Sequence, residues 1–263
     1  MAFDPAAAAA ALDAARRAGA EAFLDAAIRP MTVEQGVAVQ VARARAAGAM
    51  PPAGFKIGAT TKRMQDYLGL DSPAAGYMEA ANLLPSGAEL SLAGLRGPGA
   101  ECEIGLRLAR DLPAGPCDQA AALAAVGEVF AAIEIVENRY GTPPMGDLAR
   151  IGTPTLIADQ VYHRAAILGT APDGWRGLDL AAVPGRLLVD GVEQAAGHGR
   201  DLLGHPIAAL AWLAGSPTVA AFGGLRAGQV VMLGSVTPPI WLSAPCAVRV
   251  VFDGLGEVSV TLA

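Results

Sequence analysis

"GAECEIGLRLARDL", residues 99–112, alternates between two kinds of side chain with the period of two that marks a β-strand with unlike faces. Glu101 and Glu103 share one face, and Cys102, Ile104, Leu106 and Leu108 share the other. Two carboxylates this close repel unless something of opposite charge neutralises them. The face is therefore either solvated, with Arg107 and Arg110 as partners, or built around a divalent cation. A second acidic strand favours the cation. In "AAIEIVENRY", residues 131–140, Glu134 stands among Ala131, Ala132, Ile133, Ile135 and Val136, which leaves no polar face around it. Glu137, three residues on, falls on the opposite face and reads as a surface acid. Ligation by Glu101, Glu103 and Glu134 would be all-oxygen, which suits Mg²⁺, Mn²⁺ or Ca²⁺ better than zinc.

Lys56 is the lone charge in "AGFKIG", residues 53–58. A lysine in a dry pocket has a lowered pKa and can serve as general acid or base, whereas one snorkelling from a strand end is only structural.

Outward from these strands, the first fifty residues read as helical. Asp4-Pro5 is an N-cap followed by proline, and "TVEQGVAVQVARARAAG" (32–48) opens with Thr32 and Gln35 in capping-box spacing and closes on Gly48. A short helix in "TKRMQDYLG" (61–69) ends at Gly69. This gives an N-terminal helical region over 1–75, with a strand-rich core over 76–263 forming one continuous functional unit. In the core, "GRLLVDGVEQAAG" (185–197) is a hairpin turning at Asp190-Gly191, and "GQVVMLGSV" and "CAVRVVFDGLGEVSVTLA" supply the last strands. "DQAAALAAVGEVF" (118–130) and "HPIAALAWLAG" (205–215) read as helices. Helices so irregularly spaced do not make a doubly wound parallel sheet. The fold class expected is mixed α/β, a strand-rich core with an N-terminal helical part.

Composition narrows the function. The chain has 263 residues, 53% of them hydrophobic, enough for a sizeable core. Its formal net charge of −6 and its lack of any basic run argue against nucleic acid. Cys102, Cys117 and Cys246 are an odd number without CxxC spacing, which fits a reducing compartment, and no apolar run reaches membrane-spanning length. The N-terminus, with Asp4 and no cationic start, reads as a helix and not a signal peptide, so the expected location is the cytoplasm. Neither a phosphate-binding loop nor a serine nucleophile elbow is present. His198 and His205 read as loop and helix-start residues, and His163 as the histidine nearest a pocket.

Five stretches in order, "FKIGATTKRMQDYLGLDSP", "GPGAECEIGLRLARDLP", "AAIEIVENRY", "GRDLLGHPIAALAWLAG" and "LRAGQVVMLGSVTPPI", together resemble the 2-keto-4-pentenoate hydratase / 4-oxalocrotonate decarboxylase branch of the fumarylacetoacetate hydrolase superfamily. The resemblance spans nearly the whole chain and implies that family's strand-rich core. It also implies Mg²⁺ or Mn²⁺ bound by Glu101, Glu103 and Glu134, Lys56 as acid/base, and a substrate-side segment containing Gly234, Ser235 and Thr237. The implied activity is addition of water to a 2-oxo-4-enoate or its dienol by a homo-oligomer. A 4-oxalocrotonate-type decarboxylase, or a non-catalytic partner subunit, is the alternative. Two departures stand out. Where the family carries an aspartate, "GYMEAAN" places Ala81, and Glu79 is the acid that could substitute for it. In "DQVYHRAAILG", Asp159 is kept as a substrate-binding candidate, but Gln160 replaces asparagine, and Tyr162, His163 and Arg164 replace small residues. Such bulky and cationic groups would reshape the pocket mouth.

Overall fold

The computed structural model describes residues 2–141 and 147–263. In chain order the elements are α1 (Pro5–Arg17), α2 (Val33–Ala46), β1 (Gly54–Gly58), α3 (Lys62–Leu68), β2 (Ala74–Met78), β3 (Leu83–Pro85), β4 (Ala88–Leu90), β5 (Pro98–Leu108), α4 (Gln119–Ala125), β6 (Val126–Glu137), α5 (Leu148–Ile151), α6 (Thr153–Ala158), β7 (His163–Leu168), β8 (Pro184–Val189), β9 (Val192–His198), α7 (Pro206–Ala214), α8 (Pro217–Ala221), β10 (Val230–Ser235), β11 (Ile240–Trp241), β12 (Cys246–Phe252) and β13 (Gly256–Leu262). The helix starts follow their capping chemistry. Asp4 accepts from the amides of Ala6 and Ala7 at α1, Thr32 accepts from Gln35 at α2, and Gly69 closes α3 in the left-handed conformation.

The strands form two sheets. The larger runs β2-β1-β10-β5-β6-β7-β3, with β11 paired to β5, and the second runs β4-β13-β12-β8-β9. β1–β10, β3–β7 and β4–β13 are parallel and the other pairs antiparallel, so the sheets are mixed as the irregular helix spacing suggested. Asp190 and Gly191 both have positive φ in the β8–β9 turn, as a two-residue hairpin requires.

Strand parity places the core. Cys102, Ile104 and Leu106 of β5 join Ile133 and Ile135 of β6 in one buried cluster with Leu187, Val248, Val250, Val258 and Val260 of the second sheet. Fully burying each such aliphatic side chain is worth roughly 1.5–3 kcal/mol. The opposite face of β5 and β6 is thereby left for the acids. A separate cluster built from Leu12, Val37, Val39, Leu156 and Ile157 joins α1, α2 and α6.

Two sequence readings change. The helix expected over 118–130 ends at Ala125, because Val126 is already extended and opens the long strand β6. β1, assigned to the N-terminal helical region, is hydrogen-bonded between β2 and β10 inside the larger sheet. A boundary at residue 75 thus cuts through that sheet.

Candidate metal centre

The register of β5 and β6 sets Glu101 directly opposite Glu134 and Glu103 opposite Ala132, so all three acids lie on the face turned away from the main core. Further along that face the side chains become Gly105 opposite Phe130, then Arg107 opposite Glu128. Arg107 pairs with Glu128 at 3.1 Å, so it is not the partner of the two strand acids. One potential ligand atom from each of Glu101, Glu103 and Glu134 lies within 4.8 Å of the others, the one such group among the described residues. Glu103 and Glu134 are fully buried and Glu101 is half-buried, which defines the open side.

Lys56 reaches this face from β1, where its backbone pairs with Gly76 of β2 and Met232 of β10. Its Nζ lies 3.3 Å from Glu134 Oε2 and donates to the carbonyl of Val161 at 2.9 Å. That carbonyl is aimed by Gln160, Val161 and Tyr162, three consecutive non-glycine residues with φ of 64°, 51° and 68°. Such a run in the left-handed region stores strain, which is costliest for the β-branched valine.

Electrostatics follow from this packing. Burial and Glu134 push Glu101 up to about 8 against the pull of Lys56. Burial raises Glu103 well above the carboxylate range, with Glu134 and Glu101 adding to it. Burial also opposes ionisation of Glu134, but the Lys56 ammonium and His163 outweigh it and hold this carboxyl below its usual range. For Lys56 burial favours the neutral amine, yet Glu134, Glu101 and Glu103 reverse the sign and raise it. The lowered lysine pKa expected from a dry setting is therefore not found in the cation-free protein.

The residues present fit a divalent cation. Glu103 Oε1 and Glu134 Oε2 are buried without a hydrogen-bond donor, since the Lys56 contact lacks hydrogen-bond geometry. Orphaned carboxylate oxygens in such a place cost several kcal/mol unless a cation or proton meets them. The hard, all-oxygen set suits Mg²⁺ or Mn²⁺.

The segment containing Gly234, Ser235 and Thr237 lies beside these acids. A bulge between Met232 and Ser235 turns the Gly234 amide onto Glu103 Oε2 at 3.0 Å. Gly234 has φ of 102°, and a Cβ there would come 2.5 Å from Thr60 Cγ2, so only glycine fits. The Ser235 hydroxyl accepts from the amides of Cys102 and Thr237, both at 3.2 Å, which ties Ser235 and Thr237 to the strand carrying the acids.

Two other sequence candidates stand elsewhere. Glu79 receives a hydrogen bond from the Tyr77 hydroxyl at 3.2 Å. Tyr77 pairs with Phe55, on the face of β1 opposite Lys56, so the structure does not bring Glu79 to the acids; Ala81 is exposed in a 3₁₀ turn. Asp159 is buried in an arginine cluster, with Oδ1 bonded to Arg16 at 3.2 Å and Arg43 at 3.1 Å, and Oδ2 to Arg139 at 2.6 Å and the Tyr140 hydroxyl at 2.8 Å. Burial opposes its charge, but the arginines hold it far below the carboxylate range. All its acceptor directions are taken, so it acts here as a structural hub. Glu137 is also no surface acid. It is buried at the end of β6, where the Arg96 amide donates to it and Arg16 lies 3.8 Å away.

His163 lies beneath the site, not at its mouth. The ring is fully buried, with Nδ1 2.7 Å from Glu134 Oε1. The Val161 carbonyl and the left-handed run that aims it were missed, because no glycine or asparagine signals the run. His205 caps α7 through Nδ1, as its position before Pro206 implied, and His198 is exposed.

No family model matches the chain. It is 36% identical over 214 residues to 2-keto-4-pentenoate hydratase of Burkholderia vietnamiensis (strain G4 / LMG 22486), covering 79% of this chain and 77% of the relative. It is 32% identical over 235 residues to 2-hydroxyhexa-2,4-dienoate hydratase of Comamonas testosteroni, covering 88% and 86%. The fold is similar to that of 4-oxalocrotonate decarboxylase from Pseudomonas putida G7, complexed with magnesium and adipate, with a TM-score of 0.85 at 23% identity over 98% of this chain and 97% of the other. With relatives this similar over most of its length, the chain belongs to the 2-keto-4-pentenoate hydratase family, and it shares its fold with 4-oxalocrotonate decarboxylase.

Proposed function

We propose that this chain is a divalent-metal-dependent hydratase that adds water to a 2-hydroxy-2,4-dienoate or its 2-oxo-4-enoate form, such as 2-hydroxypenta-2,4-dienoate, in the breakdown of aromatic compounds. The observation that carries the reading is the meeting of Lys56 with Glu101, Glu103 and Glu134 on one sheet face, Nζ standing 3.3 Å from Glu134. The names of the Burkholderia and Comamonas relatives support the reaction class.

Bound by Glu101, Glu103 and Glu134, Mg²⁺ or Mn²⁺ supplies neutralisation of the carboxylates and polarisation of the carboxylate and keto oxygens of a 2-oxo acid. The remaining work falls to the chain. Lys56, anchored by the Val161 carbonyl, holds a proton on Nζ for delivery to the carbon skeleton. Ser235 and Thr237, fixed against the Cys102 backbone, orient the substrate beside the acids. Overall, once the enol proton of the dienol has moved to the carbon α to the ketone to give the 2-oxo-4-enoate, a hydroxyl joins the carbon β to the ketone and a proton joins the carbon γ to it. Both come from water, so Nζ recovers from water whatever proton it gives.

The decarboxylase reading keeps one observation in its favour. Glu79 is held on the Tyr77 side and Ala81 carries no acid, and loss of CO₂ needs no group to activate water. Turnover of 2-hydroxypenta-2,4-dienoate and of 4-oxalocrotonate, with and without Mg²⁺ or Mn²⁺, separates the two. Metal-dependent loss of the dienoate, abolished in Glu103→Ala, is expected. Release of CO₂ from 4-oxalocrotonate alone would replace the hydratase by the decarboxylase. Metal binding without turnover of either would favour the non-catalytic subunit.

Among the described residues no helix is long and apolar enough to cross a membrane. A cytoplasmic homo-oligomer is part of the proposal, supported by three free cysteines and by Val192 lying 62% exposed on the edge strand β9.

A further inference from the structure

We propose that His163 is a positioning residue that fixes Glu134 as a one-oxygen ligand, a role that rests on the metal-centre reading above. The Glu134 carboxylate is divided between two neighbours. Oε1 meets His163 Nδ1 at 2.7 Å, whereas Oε2 faces Lys56 at 3.3 Å and has no hydrogen-bond donor. With a carboxylate as acceptor, Nδ1 must carry the ring proton. His163 Nε2 is buried and without a partner. A bare lone pair there is tolerable, whereas the N–H of a charged ring would be a buried, unmet donor. The geometry therefore points to a neutral Nδ1–H ring that occupies Oε1 and leaves Oε2 for the face shared with Glu101 and Glu103.

The ring is itself held. Arg16 donates to the His163 carbonyl at 3.2 Å and is tied to Asp159, which also binds Arg43 and Arg139. Helices α1 and α2 thus fasten the start of β7, and with it the ring behind the ligand. A ring that hydrogen-bonds a ligand from behind stops it from rotating away and tunes its basicity.

The test is direct Mn²⁺ binding, followed by electron paramagnetic resonance of free Mn²⁺, in the wild type, His163→Leu, His163→Asn and Glu103→Gln. Leucine and asparagine share the same branched heavy-atom skeleton, but only asparagine keeps an N–H near the Nδ1 position. His163→Leu should weaken Mn²⁺ by about 10–100-fold and His163→Asn by about threefold or less. Equal affinities for His163→Leu and wild type, with Glu103→Gln abolishing binding, overturn the role of His163 alone. No Mn²⁺ binding by the wild type removes the metal-centre reading and this role with it. If the variants do not fold, ¹⁵N NMR of the wild type decides, since only three histidines contribute. An Nδ1–H neutral ring supports the assignment, and an Nε2–H or charged ring overturns it.

Discussion

Replacing Glu101 by glutamine should stabilise the cation-free protein at pH 8 and change it little at pH 5. Burial and the facing Glu134 push the Glu101 carboxyl from an ordinary 4.5 up to about 8, with Lys56 opposing. The folded chain therefore keeps a proton that the unfolded chain releases near pH 4.5. For a group raised in this way, the stability it contributes is full below the unfolded pKa and is lost as pH rises towards the folded one. Each pH unit in that window is worth about 1.4 kcal/mol, giving an upper bound of about 5 kcal/mol. Glu101 is half-buried and shares its charge with Glu103 and Glu134, so about 2–3 kcal/mol between pH 5 and 8 is the expected loss. Glutamine keeps the shape and has no proton to release, which flattens the profile. Urea unfolding after EDTA treatment, at pH 5 to 8, measures the difference between the two proteins. Asp159, whose carboxyl is lowered, contributes stability that is lost only as pH falls below its ordinary 3.8, outside this range and equally in both. Added Mg²⁺ should stabilise the wild type more at pH 8 than at pH 5. Parallel pH profiles for wild type and Glu101→Gln, within about 0.5 kcal/mol, would refute the reasoning.

Lys56→Met keeps the length of the side chain but carries no proton, so turnover of the dienoate should fall by about 10²–10⁴ while Mn²⁺ binding persists; retained turnover would remove Lys56 from the proton path. Asp159→Asn leaves Arg16, Arg43 and Arg139 around a neutral amide and should cost about 3–5 kcal/mol in urea unfolding. Glu79→Ala should leave turnover unchanged, since Glu79 is bonded to Tyr77 on the far face of β1. A loss of about tenfold or more would return it to the acid/base role considered for the chain.

The meeting of the three acids proposed as metal ligands was legible because strand parity is local information. E-x-E in "ECEIG" fixes Glu101 and Glu103 to one face whatever else the chain does, and an acid flanked by Ile133 and Ile135 marks Glu134 as buried or bound. Caps and hairpin turns were legible for the same reason: Asp4, Thr32 and Asp190-Gly191 act within a few residues of themselves. Parity failed at Glu79, where the chain leaves β2 and coils into a 3₁₀ turn, so that the comparison with Ala81 along one strand face had no strand to rest on. It also failed at Glu137, and the resemblance that marked Asp159 as a substrate-binding candidate gave no sign of the arginines around it. The partners of these two acids, Arg16 and Arg43, lie on α1 and α2, more than a hundred residues away in sequence, and nothing near either acid announces them.

Lys56 shows most clearly what a local reading cannot supply. Its apolar neighbours correctly predict desolvation, and desolvation alone would lower its pKa. The sign reverses because β10 lies between β1 and β5 and brings three carboxylates from β5 and β6 to bear on one ammonium. Three carboxylates and one ammonium sum to a formal charge of −2, a net charge that a buried face cannot carry without uptake of protons or of a cation. Proton uptake is what the raised Glu101 and Glu103 express. One divalent ion cancels the charge completely, whereas a monovalent ion leaves a carboxylate uncompensated. The count of charges on this face, together with its all-oxygen donors, thus favours a hard divalent ion such as Mg²⁺, Mn²⁺ or Ca²⁺ on grounds independent of any relative, and it does so only if Lys56 stays protonated while the site is filled.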